Sequence, residues 1–183
     1  MGEPLTPRAR EVVATARDLL EREGAEALTM RRLADELGIR APSLYKHLPN
    51  KAALETAIIA SGLEEAAAAF EAAVDDATVP LAALVAAYRT FAAEHPHVYR
   101  LMTERPLPRD QLPPGLEDRT AAPLVRVTGS PERARAAWAF IHGMVILELN
   151  RRFPADAHTE PAWRAGIAAF AAGPSPPDTS PRA

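Results

Sequence analysis

Residues 29–51, TMRRLADELGIRAPSLYKHLPNK, constrain the fold more than any other part of this chain. Thr29 can cap a helix whose apolar residues Met30, Leu33, Ala34 and Leu37 share one face, which predicts a short helix buried along that stripe. Gly38 follows the last apolar residue, where a positive φ ends a helix at least cost, and Ile39 turns back toward the core. Pro42 is tolerated only in an opening turn, so a second helix is expected from about Ala41 to about His47, burying Leu44 and Leu48. Small Ala34 permits a close crossing, Gly38 makes the turn four residues later, and Leu44 fills the joint six residues after that. This is helix-turn-helix spacing.

The second of these helices would expose Ser43, Tyr45, Lys46 and His47, whose hydroxyl and cationic tips suit phosphate oxygens and base edges. Between positions 37 and 51 there are three basic residues, Arg40, Lys46 and Lys51, and no acidic one, in a chain of formal net charge −3. The positive patch is local. The plainer alternative is a solvated helix face with no partner.

SLYKHLPNKAAL resembles the signature of the TetR family of bacterial transcriptional regulators. Ser43, Leu44, Tyr45, His47, Leu48, Lys51 and Leu54 match its residue types and spacing. Arg40 stands where the family often has a capping Ser, and Leu48 where Phe is commoner. The resemblance implies a double-stranded DNA operator as partner, with Thr29, Arg40, Ala41, Pro42, Ser43, Tyr45, Lys46, His47 and Lys51 as the contacting set. The matching position to Thr29 also touches phosphate in the family, in keeping with the affinity of helix N-termini for anions.

Composition favours helix: alanine is abundant, aromatic residues are 5% of the chain, and no hairpin pattern appears. The expected fold is all-α, with about nine helices. A three-helix DNA-binding head would occupy 1–51, a helical regulatory and dimerisation body 52–172, and a disordered proline-rich tail 173–183. The chain has no cysteine, which excludes disulfides and thiolate chemistry. No run approaches the ~20 apolar residues of a membrane span, and the N-terminus lacks a signal-peptide pattern. A cytoplasmic protein without membrane contact is expected.

Thr6-Pro7 should start a first helix reaching Glu23-Gly24, and Asn50 should cap a long one from Lys51 to about Val74, a lever between head and body in which Gly62 is a weak point. Further helices are expected from Pro80 to before Pro96, shortly after Pro96, at about 116–127, from Pro131 to about Arg152, and at about 160–172. The prolines and glycine between 106 and 115 read as a surface loop. The helix opening at Pro131 is apolar on two faces, so both should be buried.

The segments EHPHVYRLM and WAFIHGMVILELNRRF resemble a TetR-family C-terminal branch marked by Trp138, His142 and Gly143. This resemblance implies a small-molecule pocket in the body. Tyr88, Phe91, Tyr99, Met102, Trp138, Ile141, His142 and Val145 are its candidate lining, for an apolar or amphipathic effector. The same side chains could simply be core, and His142 could brace a helix packed at Gly143. Phe140, Met144, Leu147, Trp163, Ile167 and Phe170 are the candidate homodimer contacts, because the last two helices carry more apolar surface than one small body can cover.

No phosphate loop, nucleophile elbow or paired-histidine metal motif is present, and Glu148 lies ~600° of helical turn from His142. No enzyme, cofactor or metal site is therefore expected. Two functional readings remain: a dimeric repressor released from a palindromic operator by a small ligand, and a constitutive DNA-binding dimer with no ligand.

Overall fold

Side-chain caps begin the helices where the sequence marks them. The Thr6 hydroxyl accepts from Ala9 N at 3.2 Å, Thr29 from Arg32 N at 3.1 Å, the Asn50 amide oxygen from Ala53 N at 2.8 Å, and Ser130 from Arg133 N at 3.2 Å. The structure is a computed structural model and describes residues 5–75 and 77–171. Its helices are α1 (Pro7–Glu23), α2 (Met30–Glu36), α3 (Ala41–Tyr45), α4 (Lys51–Asp75), α5 (Pro80–Glu94), α6 (Pro96–Thr103), α7 (Leu116–Thr128), α8 (Pro131–Leu149) and α9 (Glu160–Ala171). Every regular element among the described residues is helical. The tail expected from 173 lies outside them.

Helix ends differ from expectation by a few residues. The α3 helix stops at Tyr45 and α8 at Leu149, where Asn150 N closes the last turn on the Ile146 carbonyl and Arg151 takes a φ of 50°. The stretch expected to be a surface loop is partly ordered into the core: a short 3-10 turn at Arg109–Gln111 leads to Leu112, which is buried.

The long α4 helix is the centre of the packing, touching α1, α5, α6 and α7. Leu54, Ile58, Leu63, Phe70 and Val74 on it are buried, and the apolar core runs without a break from Val12 and Leu33 in the head to Trp163 in α9. The head is also fastened by polar contacts. Glu21 of α1 accepts from the free amides of His97 (3.1 Å) and Val98 (2.8 Å), supplying the cap that His95 does not give α6. Arg17 of α1 donates to Ser61 at 2.9 Å and pairs with Glu65 of α4, which in turn lies 3.1 Å from His95 Nε2.

Gly62 is a point of close approach rather than a weak point. A Cβ there would sit 2.7 Å from Met102 Sδ and 2.8 Å from Val98 Cγ1, both on α6. Helix propensity alone says Gly62→Ala should stabilise α4. Because the buried Val98 and the Met102 side chain would both have to shift, the substitution should instead destabilise the protein by roughly 1–3 kcal/mol, the usual cost of overpacking. Urea denaturation of the variant checks the sign.

Candidate nucleic-acid interface

The joint between α2 and α3 forms as its residue types require. Leu37 ends α2, Gly38 takes a φ of 63°, and Ile39 N returns to the Ala34 carbonyl at 3.0 Å. Among the described residues no atom lies within 4 Å of where a Gly38 Cβ would point, so the backbone conformation, not space, calls for glycine. Leu33, Ala34, Leu44 and Leu48 are buried together and fix the two helices against α1 and α4. Arg40 precedes α3 with no side-chain cap, as the missing Ser implied.

That packing leaves Pro42, Ser43, Tyr45, Lys46 and His47 exposed on and just after α3, with Ala41 half-buried and Tyr45 49% exposed. Tyr45 is thus open to solvent on a helix whose other large residue, Leu44, is fully buried. Arg40 and Lys46 make no ion pair among the described residues, whereas Lys51 Nζ lies 3.8 Å from Glu55 Oε1. Glu55 also receives Arg105, from the segment after α6, at 3.3 Å. Thr29 is exposed at the start of α2. The residues expected to contact DNA thus flank one joint.

The expected pocket residues are placed differently. Tyr88, Phe91, Tyr99, Ile141 and Val145 are buried in the core, with Tyr88 stacked on Phe70 at a ring separation of 3.8 Å; Met102 is half-buried against Gly62. Trp138 does not line the interior: it is 44% exposed and stacks on His142 at 5.5 Å. His142 Nδ1 lies 3.0 Å from the Tyr99 hydroxyl. Burial pushes the Tyr99 phenol pKa up and the His142 pKa down from their ordinary values, which favours the neutral form of both partners. A groove of about 1100 Å³ lies elsewhere, between α1 and α4, lined by Val13, Arg17, Ala57, Ser61 and Glu65 among others and by none of the eight expected residues.

Two expected dimer contacts face inward. Trp163 is 1% exposed, donating from Nε1 to Glu148 at 2.8 Å, edge-on to Phe140 and under the Arg89 guanidinium. Met144 is buried as well, so neither can meet a partner without repacking. Phe140 is half-buried against Trp163, Phe170 and the site of Gly166, where a Cβ would fall 2.1 Å from its ring. Ile167 and Phe170 are half-buried, and Leu147 is 39% exposed. Among the described residues Gly143 braces no other helix: none of their atoms lies within 4 Å of its would-be Cβ. Glu148, which in the sequence shows only as a misplaced catalytic partner for His142, holds α5, α8 and α9 together through Arg89, Thr159 and Trp163.

No group of three or more His, Asp or Glu side chains gathers to hold a metal among the described residues, and no described helix is long and apolar enough to cross a membrane.

An all-helical body behind a helix-turn-helix, with an exposed tyrosine and cations that form no ion pair among the described residues, defines a DNA-binding regulator. The family described as bacterial regulatory proteins, tetR family, matches residues 12–58, and a tetracyclin repressor-like C-terminal domain matches residues 81–170. An uncharacterized HTH-type transcriptional regulator of Mycobacterium tuberculosis is 31% identical over 164 residues, covering 82% of this chain and 74% of that protein. A protein of unknown function from Rhodococcus sp. RHA1 has a similar structure, with a TM-score of 0.71, 25% identity and coverage of 90% of this chain and 94% of that one. A glutamine-to-alanine variant of TetR from Acinetobacter baumannii AYE, solved in complex with minocycline, gives 0.60, 25%, 87% and 90%. The chain belongs to the TetR family of DNA-binding transcriptional regulators.

The folded His142 gives up its proton more readily than the unfolded one, so the unfolded state binds more protons and stability rises with pH. Stability should therefore be full above the ordinary histidine range and decline as pH falls through it, a component that His142→Gln removes. Urea denaturation at a series of values between about pH 5 and 8 measures it.

Proposed function

We propose that this regulator is a homodimeric repressor that reads a palindromic operator through α3 and leaves it when a small apolar or amphipathic molecule binds the body. The observation that carries the DNA reading is the exposed face of Ser43, Tyr45, Lys46 and His47 beside the Leu44 anchor. Tyr45, Lys46 and Lys51, with Thr29 and Arg40, suit phosphates, and Ser43 with His47 suits base edges; Ala41 and Pro42 bring the start of α3 close to the groove. One five-residue helix spans too few base pairs for specificity, so two heads reading half-sites roughly 34–36 Å apart supply the rest.

Dimerisation is assigned to the outer face of α8 and α9. Ala136, Ala139, Gly143 and Leu147 recur every three or four residues on the side of α8 away from the core, and Ala162, Ala165 and Ala169 do so on α9. Small side chains let a second copy's helices approach closely, and Leu147, Ile167 and Phe170 add apolar area in a four-helix contact. Hydrophobic periodicity passes over these alanines because they are apolar without being large.

Support for ligand release comes from the related TetR solved with minocycline and from the aromatic and Met side chains gathered between α5, α6 and α8. The close packing of Tyr88, Phe91, Ile141 and Val145 favours the second reading, a constitutive dimer. The two separate on one experiment. A duplex recovered by in vitro selection should carry a palindrome and bind two protomers, and a panel of planar apolar compounds that includes minocycline should release it; a panel without effect favours the constitutive dimer.

Two variant sets test the residue assignments. Lys46→Ala and Tyr45→Phe should weaken binding to every duplex, with Lys46→Ala lowering the salt slope by about 1 for each phosphate it no longer neutralises, while Ser43→Ala should change base preference in a repeated selection. Gly143→Glu or Leu147→Glu should convert the dimer to monomer in analytical ultracentrifugation while leaving helicity intact.

A further inference from the structure

We infer that Glu55 is a positioning residue for Lys51: its carboxylate draws the lysine away from a DNA phosphate, and Arg105, carried on the segment after α6, sets how strongly it does so. The inference rests on the reading of Lys51 as a phosphate contact.

Glu55 is the first carboxylate after the acid-free run from position 37, one turn beyond Lys51 on α4. Its side chain is 19% exposed, and both of its neighbours are cations: Lys51 Nζ at 3.8 Å from Oε1, and Arg105 Nη1 at 3.3 and 3.4 Å from the two oxygens. All three separations exceed the roughly 2.7–2.9 Å of a fully formed charged hydrogen bond. Neither cation is locked, so the two compete for one anion. A phosphate arriving at the start of α4 offers Lys51 a second anion, and Arg105 then neutralises the carboxylate that the lysine leaves behind. If Arg105 were drawn off, Glu55 would keep the lysine and would also stand as an uncompensated negative charge beside the DNA. Arg105 thus favours DNA binding without having to touch it.

The placement of Arg105 makes this contact a report on the body. It lies two residues past Thr103, the end of α6. That helix is fitted to α4 at Gly62 and tied to α8 through Tyr99 and His142, and to Asn150 just beyond α8 through Arg100. A displacement of α6 therefore changes the charge felt by Lys51, far earlier in the chain, by a route separate from any rigid-body movement of the head.

The test is fluorescence anisotropy of the full chain on a labelled duplex recovered by in vitro selection, at several salt concentrations, with thermal melting to confirm that each variant folds. Glu55→Gln should tighten binding of the dimer about three- to tenfold and Arg105→Ala should weaken it by a similar factor, the range expected when two partly exposed ion pairs, one per head, are altered. In the Glu55→Gln background, Arg105→Ala should have no further effect. In the Lys51→Ala background, most of the gain from Glu55→Gln should vanish. The inference is overturned if Glu55→Gln leaves affinity unchanged, or if its gain survives intact without Lys51, which would make Glu55 a source of plain repulsion. It is equally overturned if Arg105→Ala weakens binding and lowers the salt slope even with Gln at 55, which would make Arg105 a direct phosphate contact. Should Lys51→Ala alone bind as tightly as wild type, the phosphate role of Lys51 fails first, and the Glu55 inference with it.

Discussion

The burial of α4 on several sides at once is the constraint on which the rest of the molecule depends. A helix of 25 residues that starts beside the helix-turn-helix and ends deep in the body must present apolar or small residues around most of its circumference. Leu54 and Ile58 face the head, Phe70 and Val74 face the body, and Gly62 with its neighbouring alanines lets α6 and α7 come close. Helix propensity favours such a rod, but packing decides where it lies, since most helical stability in proteins comes from tertiary contacts. Head and body therefore share one core, and movement in one is felt by the other.

Polar contacts on α6 make that sharing directional. Its N-terminus is capped from α1 by Glu21, its middle is bound to α8 through Tyr99 and His142, and the residues just beyond it reach Glu55 near the start of α4. Each contact is small on its own, and the exposed ion pairs among them contribute about 0–1 kcal/mol apiece. Their effect is geometric: one eight-residue helix touches the head, the lever and the body's outer helix. In a DNA-binding regulator, such a helix is well situated to pass a change in the body to the head.

The outer side of the body shows how satisfied polar groups free a surface for other use. Glu148 gathers Arg89, Thr159 and the Trp163 indole N–H, so the largest side chain of α9 is spent inside the subunit with its polar atom paired. Alongside the exposed Trp138, α8 and α9 turn outward a run of small residues, among them Ala136, Ala139, Ala162, Ala165 and Ala169. Small residues bury little area on their own, so such a face adds little to the core of the single chain.

The helix-turn-helix was legible in the sequence because every signal in it is local. Thr29 caps within its own turn, Gly38 adopts its own φ, Pro42 restricts its own helix, and Leu44 sits at a spacing that admits one joint. The same holds for the caps at Thr6, Asn50 and Ser130, each of which fixes a helix start through a hydrogen bond within its first turn. The body was legible only as a set of helices. Which way Trp163 and Trp138 turn, whether Tyr88 lines a cavity or fills one, why Gly62 is glycine, and that Arg105 meets Glu55 all depend on partners on other helices, far away along the chain. Periodicity says that a face is apolar but not what covers it. Large apolar residues therefore mislead as indicators of the outer surface, and small ones are overlooked. The sequence determined the elements and the helix-turn-helix joint by local chemistry; the tertiary structure decided which side chains are spent in the core and which remain exposed, because that allocation is made only when the helices pack.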